Sequence, residues 1–97
     1  MNMNDMMKQA QQMQQMVDEA KKEIEGSVFT SEKGGEVTIH MYGTKIVKEI
    51  QISDVAMDDK EVLQDLILLA FNDCVEQIGE FTEDRMSEIA PGLGGLF

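Results

Sequence analysis

Few side chains in this 97-residue chain are of types that make or break bonds, and none of them stands in a set. His40 lies between Ile39 and Met41 on the polar side of an alternating stretch, which suits a surface or interface histidine better than a catalytic one. Cys74 falls within an apolar stripe and reads as a buried structural thiol. As the only cysteine, it excludes an internal disulfide and a Cys-based zinc site from one chain. Asp58-Asp59-x-Glu61 gathers carboxylates, but the oxygen spacing of a calcium loop is absent and helix capping accounts for the cluster. Gly34-Gly35 is not followed by the Gly-Lys-Ser/Thr of a phosphate loop. The acids at 73, 76, 80, 83 and 84 recur as a solvated helix face would. With no nucleophile–base pair and no metal-ligand set, the sequence predicts no enzyme, no metal and no cofactor.

The basic residues carry a different chemistry. Lys8, Lys21 and Lys22 sit in a stretch whose apolar residues recur at Met3, Met6, Ala10, Met13, Val17, Ala20 and Ile24, in alternating steps of three and four. All three lysines fall outside that heptad seam. Two copies of such a helix would present six lysines at fixed spacing, suited to phosphate contacts without base readout. The competing reading is ordinary solubilising charge, paired four residues apart as in Asp18–Lys22.

A helix from Met3 to Ile24 would be roughly 33 Å long at ~1.5 Å per residue. So short a chain does not easily wrap its own core around that rod, and the heptad seam predicts a partner, either a second copy or a bound molecule. Six of the nine methionines precede residue 17, and methionine suits adaptable contacts. The net charge of −11 is unevenly spread. Residues 1–25 carry −2, residues 26–52 are neutral, and residues 53–97 carry −9. An acidic C-terminal half repels phosphate backbones. No apolar run approaches the ~18 residues of a membrane span and no secretory leader pattern opens the chain, so the expectation is a cytoplasmic protein without membrane contact.

Asn4 or Asp5 can cap the first helix and Gly26 can end it in a left-handed conformation. Ser27–Ser31 reads as a strand and Glu32–Gly35 as a turn. Glu36–Tyr42 alternates as a half-buried antiparallel strand, with Val37, Ile39 and Met41 inward. Gly43-Thr44 suits a two-residue type II′ turn. A third strand over Lys45–Ile52 sets Ile46, Ile50 and Ile52 on one face. Lys48 shares that face, so either the strand end is exposed or a bulge shifts its phase.

Asp58 is placed as the cap of a second helix, with Glu61 completing a capping box. The helix carries a stripe two residues wide: Val62, Leu63, Leu66, Ile67, Ala70, Phe71, Cys74, Val75, Ile78 and Phe81. That width suits a helix lying on a sheet and touching another helix. Beyond Gly79 the pattern thins, and the last turns are expected to project or fray. The predicted fold is α+β, in the order α-β-β-β-α, with a three-stranded antiparallel sheet and two long helices. A single domain spans 1–97, with an N-terminal helical arm at 3–25, the sheet at 27–52, the C-terminal helix at 58–89 and a flexible tail at 90–97.

Several stretches in this order resemble the YbaB/EbfC family of small bacterial nucleoid-associated proteins. Met7-Lys8-Gln9-Ala10-Gln11-Gln12-Met13-Gln14 is similar to the family's opening helix. Gly35-Glu36-Val37-Thr38-Ile39 with Gly43 resembles its Gly-x-Val-x-Val strand and hairpin glycine, and Ile50-Gln51-Ile52 its third strand. The most specific part is Asp59-Lys60-Glu61-x-Leu63-x-Asp65-Leu66 followed by Ala70-Phe71-Asn72-Asp73. The Pro-Gly-rich tail also fits, and the likeness covers roughly residues 5–90.

The resemblance implies a tweezer-like homodimer with a shared sheet platform and projecting helical arms. It also implies binding to duplex DNA with little sequence preference, and a place in the cytoplasm on the nucleoid. Carried over to this chain, the candidate DNA contacts are Lys8, Lys21, Lys22 and Arg85. Many members carry more Lys and Arg on the C-terminal arm, where this chain has Glu76, Glu80, Glu83, Asp84 and Glu88 against Arg85 alone. A second expectation therefore stands beside DNA binding: an acidic, chaperone-like dimer or adaptor that holds a protein partner through its acidic half and its Met-lined helix.

Overall fold

Val37, Ile39 and Met41 are each fully buried, and the fold is built outward from them. In the computed structural model, which describes residues 2–91, they lie on the central strand of an antiparallel sheet in the order β1-β2-β3. The strands are β1 (Val28–Lys33), β2 (Val37–Tyr42) and β3 (Val47–Ile52). They are preceded by α1 (Met3–Gly26) and followed by a short 3-10 turn (Val55–Asp58) and α2 (Lys60–Ile89). The element order and sheet are those read from the sequence. Ala70, Cys74 and Ile78 of α2 seal the inward face of β2. Burial of the Val37, Ile39, Met41 and Ile78 side chains stabilises by about 1.5–3 kcal/mol each.

Several local expectations needed correction. Asn2 caps α1, its side chain accepting from the Asp5 N–H at 2.9 Å, because the helix begins at Met3, ahead of both predicted caps. Gly26 is not left-handed; it is the last helical residue, and Ser27 closes the helix with its N–H on the Ile24 carbonyl and its hydroxyl on that of Glu23. Asp58 ends the 3-10 turn, so Asp59 caps α2 instead, accepting from Glu61 and Val62 N–H groups at 3.1 and 3.2 Å.

The first hairpin turn uses the expected glycines, Gly34 and Gly35 both left-handed at φ 62° and 67°, but Glu32 and Lys33, read as part of the turn, extend β1 in register with Thr38 and Val37. The second is not a two-residue turn. Gly43, Thr44 and Lys45 form a three-residue connection in which Lys45, not Gly43, takes positive φ, at 70°. Gly43 is needed for a different reason: a Cβ there would stand 1.8 Å from the Ile24 carbonyl oxygen. The ambiguity at Lys48 resolves as a bulge, since His40 pairs with Glu49 while Met41 pairs with Val47.

The end of α2 does not fray. Met86 is buried to 1 % exposure and joins Val17, Ala20 and Ile24 of α1 in a second core, with Phe81 and Ile89 alongside. Phe29 of β1 meets Phe81 edge-on, ring centroids 5.5 Å apart, so the two cores are continuous. Ala90, assigned to the tail by sequence, is buried and its N–H bonds the Met86 carbonyl; residues 92–97 of that tail lie outside the described residues. The molecule is elongated, 68 × 20 × 14 Å, because residues 3–16 of α1 run on with none of their side chains buried.

Candidate nucleic-acid interface

The lysines of α1 are placed by helix periodicity. Val17, Ala20 and Ile24 turn their stripe onto α2. Lys8 and Lys22, two heptads apart, therefore lie on the side away from that seam, about 20 Å from one another at ~1.5 Å per residue. Neither makes an ion pair or side-chain hydrogen bond among the described residues. The predicted Asp18–Lys22 pair does not form; Asp18 accepts the Gln14 amide at 2.9 Å. Lys21 sits on the flank of α1 and lines a cavity at the foot of the helix pair.

Arg85 is placed differently. Its Nε and Nη2 donate to Glu23 of α1 at 3.1 and 2.7 Å, and its Nη1 donates to Glu88. Glu23 first, and then Glu88, raise the guanidinium further above its ordinary pKa. The guanidinium thus latches α2 to α1, and the four candidate cations do not converge on one spot. Three are distributed along α1, and the fourth is bound between carboxylates.

Two features escaped the sequence reading. Asp73, taken for part of a solvated face, is the centre of a clasp between α2 and β1. The Ser31 hydroxyl donates to it at 2.6 Å, the Gln77 amide at 3.1 Å, and Lys33 lies 3.5 Å away. The Ser31 hydrogen bond, then that of Gln77, holds its carboxyl below the usual carboxylate range. Gln77 also donates to the Thr30 carbonyl at 3.0 Å. The only prior signal was Ser31 standing inward in an alternating strand, a buried hydroxyl that needed a partner.

The second is Lys45, whose left-handed backbone no sequence pattern flagged. The two remaining candidates behave as read: Cys74 is fully buried, its thiol pushed up by burial and secondarily by Asp73, and its Sγ contacts the Ile39 carbonyl at 3.5 Å. His40 shares a 2.8 Å hydrogen bond with Thr30 on the outer sheet face.

The sheet also leaves apolar surface open. Ile39 pairs with Ile50 and Val37 with Ile52, so both β3 isoleucines face the side that α2 covers over β1 and β2. Yet they remain 46 % and 40 % exposed. Asp73 and Gln77 tie one flank of α2 to β1, and Leu68 and Phe71 of the same helix stay exposed. Among the described residues no helix is long and apolar enough to cross a membrane, and no group of three or more His, Cys, Asp or Glu is arranged to hold a metal.

Fold and site define a class: a small sheet-and-helix protein with a projecting, lysine-bearing helical arm. The particular family follows from sequence. The profile of the YbaB/EbfC DNA-binding family matches residues 1–93, and the chain belongs to that family. Relatives named nucleoid-associated protein include one from Ruminiclostridium cellulolyticum, 44 % identical over 98 % of this chain and 85 % of its own length. Another, from Chloroflexus aurantiacus, is 38 % identical with both chains fully covered. One from Legionella pneumophila strain Corby is 40 % identical over 95 % of this chain and 84 % of its own. The crystal structure of the uncharacterized protein HP0035 from Helicobacter pylori shares the fold, with a TM-score of 0.69 at 23 % identity, covering 82 % of this chain and 87 % of that one.

Proposed function

We propose that this chain is a dimeric, cytoplasmic nucleoid-associated protein that binds duplex DNA through backbone phosphates with little sequence preference. The observation that carries the reading is the presentation of Lys8 and Lys22, unpaired, along one side of a projecting helix in a chain of this family. Lysine ammonium groups meet phosphates as point charges, and the arm offers no loop or helix end fitted to base edges. Lys21 joins them at the base of the arm. Arg85 reaches a phosphate only by leaving Glu23 and Glu88, so its main part is to keep the arm in position. The second copy is the natural cover for Ile50, Ile52 and Phe71, which one chain leaves open.

A dimer carries twice the chain's −11, so long-range repulsion opposes DNA and the local lysines must overcome it. The test is a band-shift titration of duplex DNA with micromolar dimer at low salt. The wild type forms a complex, and the Lys21→Glu/Lys22→Glu double variant loses it while remaining a dimer. A second reading is favoured by one observation, the exposed row Met3, Met6, Met7, Met13 and Met16 beside an acidic half: an adaptor for a basic or amphipathic protein. It gains if the wild type leaves DNA unshifted and captures a partner from nuclease-treated lysate that Met6→Ser/Met13→Ser does not.

A further inference from the structure

A cavity of about 340 Å³ lies where the C-terminal end of α1, the β2–β3 connection and the C-terminal half of α2 meet. It is walled by apolar groups, among them Ile78 and Met86, and edged by Lys21, Lys45, Glu25 and Thr82. Its volume is in the range of sites that seat a small polar group against apolar walls. Two cations face one carboxylate here, so the local balance is positive in a chain that is otherwise strongly acidic.

The presence of Lys45 is not explained by the fold. Its backbone sits at φ 70°, a conformation that glycine adopts freely and a lysine adopts at a penalty. The neighbouring glycine is fixed by α1: Gly43 lies so close to the Ile24 carbonyl that no side chain fits, which presses the connection against the helix end. The connection is therefore rigidly set beside Lys21, and a charged side chain occupies the position where glycine would serve the backbone better. Non-glycine residues in this region concentrate at functional sites.

We propose that the cavity is a seat for one DNA backbone phosphate, with Lys45 as a further binding residue. Lys21 and Lys45 supply charge from two sides, the Thr82 hydroxyl donates to a phosphate oxygen, and the apolar wall takes the adjoining deoxyribose. This rests on the DNA-binding reading and extends it, since the contact surface then runs from the arm of α1 down to the sheet. Duplex DNA is an extended ligand, and a cationic site at the arm's foot fixes where the duplex stops.

The experiment compares wild type, Lys45→Gly and Lys45→Asn by fluorescence anisotropy on a labelled duplex over a series of salt concentrations, with thermal melting alongside. Both replacements suit a left-handed backbone, so melting holds or rises. Affinity falls about three- to ten-fold, and the slope of log K against log salt shrinks by about one for each lysine removed. Unchanged affinity and slope in folded variants, with the wild type binding, overturns the seat and leaves the general DNA-binding reading standing. No complex with the wild type at low salt overturns both.

Discussion

Asp73 shows how much one side chain of an apparently solvated face can hold. Its carboxylate gathers Ser31, Gln77 and Lys33, and so fixes α2 along β1. Because its folded pKa lies below the ordinary value, the clasp contributes stability that is complete above the unfolded pKa and is lost as pH falls through the folded one. Denaturation of wild type and Asp73→Asn should therefore diverge at neutral pH, the variant being weaker by about 1 kcal/mol, as for one modest hydrogen-bonded group. The two should begin to converge as pH falls below about 4, where ordinary carboxylates protonate, and meet only below the lowered folded pKa. Parallel curves across that range would show that the Ser31 bond does not hold the charge. Asp73 was missed because helix periodicity is local, whereas its partner stands 42 residues away on another element. The side of α1 that Lys8 and Lys22 occupy was legible because placement outside a heptad seam needs no tertiary knowledge. Lys45 was missed because a backbone dihedral leaves no trace in composition.

At the scale of elements, the heptad run of α1 was legible and its meaning was not. The same 3-4 spacing continues from Met3 to Ile24, but burial begins only at Val17. Sequence spacing gives the face of a helix. Where that face is covered depends on the length and path of α2, which ends beside the lower third of α1. Gly79 misled in the same way, since the turns beyond it were expected to project or fray, while Met86 and Phe81 of α2 pack against α1 and hold them in place. A bare helical segment of ~14 residues is marginal by itself. Hydrogen exchange should then find amides of residues 7–16 exchanging orders of magnitude faster than those of 20–24 in the free protein. DNA should slow the first group. Equal protection of both segments without DNA would mean that something already covers the methionine row.

At the scale of the molecule, one chain is unfinished. Ile50 and Ile52 carry the inward side of the sheet into solvent, and Leu68 and Phe71 of α2 are exposed as well. In the proposed dimer a second copy covers this surface. Ile50→Glu/Ile52→Glu should sediment as a folded monomer where the wild type sediments as a dimer, and should bind DNA more weakly because the lysine count in contact halves. A monomeric wild type would remove the dimer from this account.

The central claim is that lysines of paired arms meet backbone phosphates, and its most direct test is the salt dependence of duplex binding. Six lysines from two copies of Lys8, Lys21 and Lys22 in full contact give log K falling against log salt with a slope of about −5, and partial engagement gives about −3. Oligonucleotides of different sequence but equal length should fall on the same line. A complex that is insensitive to salt, or none at low salt, would contradict the phosphate contacts on which this account rests.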